Sequence, residues 1–308
     1  MGFSDQSELT TLGARAGKFA WPTRRGNGSH LGWLCAFHEA HGEGFEVALA
    51  KARHFVDLQH SFHGTSVAAV TARYSTQDKL FYPLLALTLA IFVYLIGYVF
   101  FVTPIAQLQA GGLAQKIFYF HVPAAYAMYL CGTVCCVASA MYLYSPTDAR
   151  DAVARAGADC AVVFGAMVLG SGPLWAKKAW GVYWTWDPRL TTTLLSVLVF
   201  VSVVVLRAFA GNGEAERKFA AALGVLGTVN LPIIHYAVLM WGGNHPTVIS
   251  KTGGGLRHPA MSHALLVGFV AMTLLAGLLV WARARLALAG ARVARLEEQA
   301  IASGKLDF

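Results

Sequence analysis

Six stretches of this chain, roughly residues 80–102, 122–144, 158–175, 190–210, 219–241 and 262–282, run apolar for 18 positions or more once short glycine and proline interruptions are allowed. A helix needs about 20 such residues to cross a hydrocarbon core of about 30 Å, and in lipid only helices or closed barrels satisfy their own backbone. The expected fold is therefore all-α, a polytopic membrane protein with six transmembrane helices. Only 13% of the residues are charged and the mean hydropathy is +0.52, values that a water-exposed domain does not tolerate.

The formal charge of +8 is best read as topology. Lys and Arg form no stripe with interleaved aromatics, which removes nucleic acid as a partner and leaves membrane lipid. Arg73, Lys79, Arg150, Arg155, Arg207, Arg217, Lys218, Arg283, Arg285, Arg292, Arg295 and Lys305 fall on one side of the spans. Only Lys116, Lys177, Lys178, Arg189, Lys251 and Arg257 fall on the other. The positive-inside rule then places both termini in the cytoplasm and the loop after the third span outside.

Three segments follow from this pattern: a polar N-terminal extension (1–75), a six-helix membrane domain (76–285) and a cytoplasmic tail (286–308). The extension holds six of the eleven histidines, His30, His38, His41, His54, His60 and His63, and no secretory signal heads it. Phe45, Ala48, Leu49, Ala52, Phe55 and Val56 have the spacing of an amphipathic helix. The competing expectation is a dispensable, disordered tail, or upstream sequence read from a mis-assigned start that truly lies near Val67 or Val70. Of the five cysteines, Cys131, Cys135, Cys136 and Cys160 lie within spans and Cys35 in the extension. They are expected to be small packing residues rather than a disulfide or zinc framework, and no Cys-x-x-Cys-His attachment motif occurs.

Three features converge on the outward side: "FYFHVPAA" (118–125), "WGVYWTWDPRLTT" (180–192) and "NLPIIHYAVLMWGGNHP" (230–246). Pro123 should start the second helix after Val122 and leave His121 at its lip. "GSGP" (170–173) should end the third helix. Pro232 should kink the fifth, where Asn230 adds an interior polar group that neighbouring helices must satisfy. His235 is expected about 9 Å below the outer end of the fifth span, a costly depth unless it meets a cavity, partner or metal. A neutral imidazole there suits an iron centre, and two on separate helices could bind opposite faces of one haem. A lone membrane histidine is commonly a satisfied interfacial group; a pair flanking an aromatic loop shifts the reading to ligation. His245 is either a spare ligand or a loop residue. Trp180, Tyr183, Trp184 and Trp186 could form an interfacial belt, but they crowd one loop beside Asp187 and Arg189. That crowding reads as a flat platform for a planar ligand, with Arg189, aided by Lys177 or Lys178, pairing its carboxylates and Asp187 orienting Arg189 or a ring N–H.

These residues resemble the tryptophan-rich "WWD" signature of haem-handling proteins. With "RLT", "FHVPAA" and "NLPIIHY", residues 75–285 look like the haem exporter protein C branch (CcmC) of bacterial cytochrome c maturation. The resemblance implies a six-helix protein of the bacterial inner membrane that holds haem b, non-covalently and transiently, on the periplasmic face. His121 and His235 would be its axial ligands and residues 180–190 its platform. It also implies delivery to a membrane-anchored, CcmE-like haem chaperone, beside an ABC-type ATPase and permease and a small membrane subunit. Pro188 departs from the alanine frequent in this branch and brings "WDP" closer to synthase-like relatives; the histidine-rich extension has no counterpart.

Haem delivery without bond-forming catalysis is the preferred expectation, since no GxxxxGK[ST], HExxH or GxSxG motif occurs. A synthase-like enzyme joining haem to apocytochrome would want larger outward domains. A solute transporter would want polar residues lining the spans and an internal repeat.

Overall fold

The computed structural model describes residues 66–105, 112–209, 213–246, 248, 255, 256 and 258–304, with side chains from residue 79 onward. The N-terminal histidines, the amphipathic stretch from Phe45 to Val56, and Cys35, Lys251, Arg257 and Lys305 lie outside the described residues. Ser75–Phe308 forms one compact unit. Among the described residues the regular structure is helical: α1 (Ser66–Phe101), a 3₁₀ turn (Gly112–Ile117), α2 (Phe118–Tyr144), α3 (Asp148–Trp180), α4 (Pro188–Phe209), α5 (Glu214–Trp241) and α6 (Pro259–Ala302). All six helices are long and apolar enough to cross a membrane.

Three helix limits differ from the sequence expectation. First, α2 begins at Phe118, running straight out of the 3₁₀ turn, so His121 sits in its first turn and Pro123 inside the helix. A proline at that depth removes one main-chain hydrogen bond, which a packed helix end absorbs. Second, α3 passes through Gly170–Pro173 and continues to Trp180. Ser171 Oγ donates back to the Met167 carbonyl at 2.6 Å, a local bond of the kind that re-satisfies an interrupted helix in a bundle. Third, α6 extends through most of the expected tail. Its 44 residues, at 1.5 Å each, make a rod of about 66 Å, twice a hydrocarbon core.

Helices in lipid gain little from hiding apolar surface from one another, so small residues and polar contacts set their packing. α2 and α3 pack most extensively, with α4, α5 and α6 completing the bundle. The core between them holds Cys131, Cys135, Phe164, Phe200, Leu231, Ile234 and Met272. α1 reaches α6 through Leu95 and Val99, which pack with Met261, Ala264 and Leu265. Cys131, Cys135 and Cys160 are buried free thiols. At Gly157 the α2 backbone approaches so closely that a Cβ would lie 2.6 Å from the Cys135 nitrogen and 2.9 Å from the Cys131 carbonyl. Backbone cannot give way there. Gly157→Ala is expected to lower stability by roughly 1–3 kcal/mol, read as earlier thermal unfolding in detergent, whereas Gly277→Ala in α6, whose Cβ meets nothing within 4 Å, leaves the transition in place.

Polar side chains inside the bundle are partnered across helices. Asn230 donates to the Thr192 carbonyl and to Ser196 Oγ, each at 2.8 Å, and Thr228 donates to the Gly132 carbonyl at 3.1 Å. The end of the bundle opposite the tryptophan loop is tied by charge. Arg207 grips buried Asp151 with two donors, one at 2.9 Å. Arg217 reaches Asp148 at 3.0 Å, Arg283 Nε reaches Asp159 at 3.0 Å, and Arg295 pairs with Asp148.

Candidate functional site

The tryptophan loop is held at both of its ends. α3 stops at Gly181, whose φ of +79° supplies the left-handed cap. Lys177 closes that end, donating to the Gly181 carbonyl at 2.9 Å and lying 5.2 Å above the Tyr183 ring. At the far end Asp187 begins α4. Its carbonyl accepts from the Thr191 N–H, its Oδ1 accepts from the Arg189 N–H, both at 2.9 Å, and Pro188 follows as the first helical residue. An aspartate cap followed by proline is a strong helix start, which gives "WDP" a structural role in this chain.

Between these ends the aromatic side chains turn outward. Trp184 and Trp186 meet edge to face at 5.9 Å, and Trp175 and Trp180 do so at 5.3 Å. Trp186 is 77% exposed and Tyr183 57%, so their faces are available to a ligand, while Trp180 and Trp184 are half-buried supports. Lys177 and Lys178 are exposed beside them.

Asp187 itself is buried and does not present a face to the platform. Its Oδ2 accepts the N–H groups of Asn244 at 2.6 Å and His245 at 3.3 Å, folding the segment after α5 back onto the tryptophan loop. Gly243 has a φ of +146° and comes so near this carboxylate that a Cβ would lie 2.3 Å from Oδ2. Only glycine serves there.

His245 is thereby brought to the centre of the site. Arg189 Nη1 donates to its Nδ1 at 3.2 Å, and Arg189 Nη2 donates to the His235 carbonyl at 3.0 Å. Burial, with the charge of Arg189 adding, pushes the His245 pKa down to about 4, so the ring is neutral at pH 7. His121, half-buried on α2, lies within electrostatic reach of His245 and hydrogen-bonds Ser171 of α3 through Nδ1 at 2.8 Å. The His235 side chain is exposed and its ring stands edge-on to Tyr236 at 4.9 Å. Of the sequence candidates, the structure brings Arg189 and Asp187 against His245 and sets His121 within electrostatic reach of it, and it adds Ser171. His235 contributes its carbonyl.

Thr185 Oγ1, Thr191 Oγ1 and Arg189 Nε are buried and have no hydrogen-bond partner among the described residues. Orphaned donors beside an exposed aromatic face and two imidazoles are what a planar, carboxylate-bearing metal ligand would use. Among the described residues no group of three or more His, Cys, Asp or Glu could enclose a bare metal ion. A ligand that brings its own equatorial donors needs only two.

The family model described as "Heme exporter protein C" matches residues 54–299. The chain is 33% identical over 165 residues to Heme exporter protein C of Bradyrhizobium diazoefficiens, covering 53% of this chain and 63% of that protein. It is 36% identical over 141 residues to the Escherichia coli K12 protein of the same name, covering 46% and 57%. A putative cytochrome c biosynthesis ccmC-like mitochondrial protein of Marchantia polymorpha matches at 26% over 194 residues, covering 60% and 82%. The chain thus spans less than two thirds of the length of these two bacterial relatives.

Proposed function

This chain belongs to the haem exporter protein C family of cytochrome c biogenesis, and we propose that it binds haem b transiently at the tryptophan end of the bundle and passes it to a membrane-anchored, CcmE-like chaperone. It is a multi-pass membrane protein with a haem-handling role. In this reading both termini lie in the cytoplasm and the platform faces the periplasm of a bacterial inner membrane. An ABC-type ATPase and permease and a small membrane subunit are its partners.

The observation that carries the proposal is the convergence of two imidazoles, a guanidinium and an outward aromatic face in one site. When bound, the haem supplies an iron with axial positions for nitrogen ligands and two carboxylates at its edge. We take His121 and His245 as the ligand pair: both rings are partly buried, the two lie within electrostatic reach of each other, and His245 meets Arg189. His235 has an exposed ring that stands edge-on to Tyr236, and this reading gives the second ligand position to His245 in its place. Trp186 and Tyr183 offer ring faces to the macrocycle, and Arg189 pairs with a carboxylate, beginning from Nε, which has no other partner among the described residues. Asp187 holds the ligand-bearing segment in place.

The test is the absorption spectrum of protein co-expressed with its chaperone, for wild type and for His121→Ala, His245→Ala and His235→Ala. Wild type should show low-spin, bis-imidazole haem; the first two variants should lose it and His235→Ala should keep it. A well-folded wild type without haem under every condition overturns the function. Loss in His235→Ala with retention in His245→Ala restores the His121–His235 pair.

A further inference from the structure

The two imidazoles of the site meet opposite kinds of hydrogen-bond partner. Ser171 has a single hydroxyl proton. Its Oγ donates to the Met167 carbonyl at 2.6 Å, with the Val168 carbonyl a weaker second acceptor at 3.5 Å. Toward His121 Nδ1, 2.8 Å away, Oγ is therefore an acceptor, and Nδ1 carries the proton. A neutral imidazole protonated at Nδ1 leaves the Nε2 lone pair free, the form a metal takes.

His245 is held the other way round. A guanidinium is only a donor, so the 3.2 Å contact with Arg189 is a hydrogen bond when His245 Nδ1 is bare and that ring's one proton is on Nε2. In that form neither nitrogen is offered to iron: one is protonated and the other engaged. The same Nδ1 also lies 3.2 Å from the Pro246 carbonyl, an acceptor. Once Arg189 leaves, the proton can reside on Nδ1 and donate to Pro246, and Nε2 becomes a lone pair. His245 stays neutral throughout; one proton leaves Nε2 for water and one from water joins Nδ1.

We infer that Ser171 and Arg189 are positioning residues that hold the two histidines in opposite tautomers, so that His121 engages iron first and His245 follows only after a ligand carboxylate has drawn Arg189 away. This ordering rests on the haem reading, while the tautomers themselves do not. The arrangement makes ligation conditional on the edge of the ligand as well as its metal. A planar metal complex without carboxylates is held through His121 alone.

The experiment begins with the empty full-length protein carrying ¹⁵N-labelled histidine, in which ring-nitrogen shifts tell protonated from bare nitrogens. Assignment uses His121→Gln and His245→Gln. The expected result is Nδ1–H for His121 and Nε2–H for His245. Ser171→Ala should release the His121 preference and Ser171→Thr restore it, and Arg189→Gln should shift His245 toward Nδ1–H. His121 found with its proton on Nε2 overturns the assignment, whatever the protein binds. Haemin is then mixed with wild type and followed by stopped-flow absorption. A high-spin, single-imidazole phase should precede the low-spin phase, and Arg189→Gln should shorten the interval between them severalfold. Both ligands arriving in one phase in wild type overturns the order and leaves the haem reading standing. Absence of any bound haem overturns the haem reading and with it the order, bound haem that never becomes low-spin overturns the order, and the tautomers are read on the empty protein in either case.

Discussion

Asp187→Ala should abolish bis-imidazole haem at concentrations that saturate the wild type, while the helical content of the protein stays unchanged. The carboxylate ties two chain segments through the N–H groups of Arg189, Asn244 and His245. Hydrogen bonds to a charged group contribute roughly 1.5–3 kcal/mol each. Losing the two that dock Asn244 and His245 therefore costs about 3 kcal/mol, on the order of a hundredfold in the docked population. Asp187→Asn retains an acceptor without the charge and should fall between alanine and wild type. Low-spin haem titrations in detergent read the effect, and unchanged binding in Asp187→Ala would show that other contacts seat His245.

The second large effect belongs to the opposite end of the bundle. Asp151→Leu leaves the Arg207 guanidinium, whose side chain is 5% exposed, without its bidentate partner. Stranding a buried charge in this way costs roughly 3–5 kcal/mol. The variant is expected to unfold well before wild type on heating, or to fail to accumulate. Because a pair of apolar residues can replace a buried ion pair at little cost, Asp151→Leu combined with Arg207→Met should recover most of the loss. A double variant no better than Asp151→Leu would show that Arg217, 4.0 Å from the same carboxylate, carries the tie instead.

The six spans were legible because twenty apolar residues in a row have few alternatives in a membrane. Their ends were not, because the local penalty of Pro123 and Pro173 is small beside the packing of the helices that contain them. Reading "GSGP" as a stop hid Ser171, whose place opposite His121 depends on α3 continuing. The exposure of the His235 ring and the partners of His245 were hidden in the same way. Depth along a helix could be counted, but the face of α5 that carries His235 could not. Nothing in "GGNHP" announces that Asp187, nearly sixty positions earlier, gathers its amides. Asp187 was expected to orient Arg189 or a ring N–H, and its carboxylate does accept from the Arg189 N–H; its hold on the Asn244 and His245 amides was not legible.

The close crossing at Gly157 gives α3 the geometry of a lever. Asp148 lies nine residues to one side of it and Ser171 fourteen to the other, arms of about 13 Å and 21 Å at 1.5 Å per residue. A tilt of α3 about that fulcrum carries Ser171 about one and a half times as far as Asp148, in the opposite direction. Asp148, clasped by Arg295, and Ser171, which meets His121, thus stand on opposite sides of that crossing, with the longer arm toward the tryptophan loop.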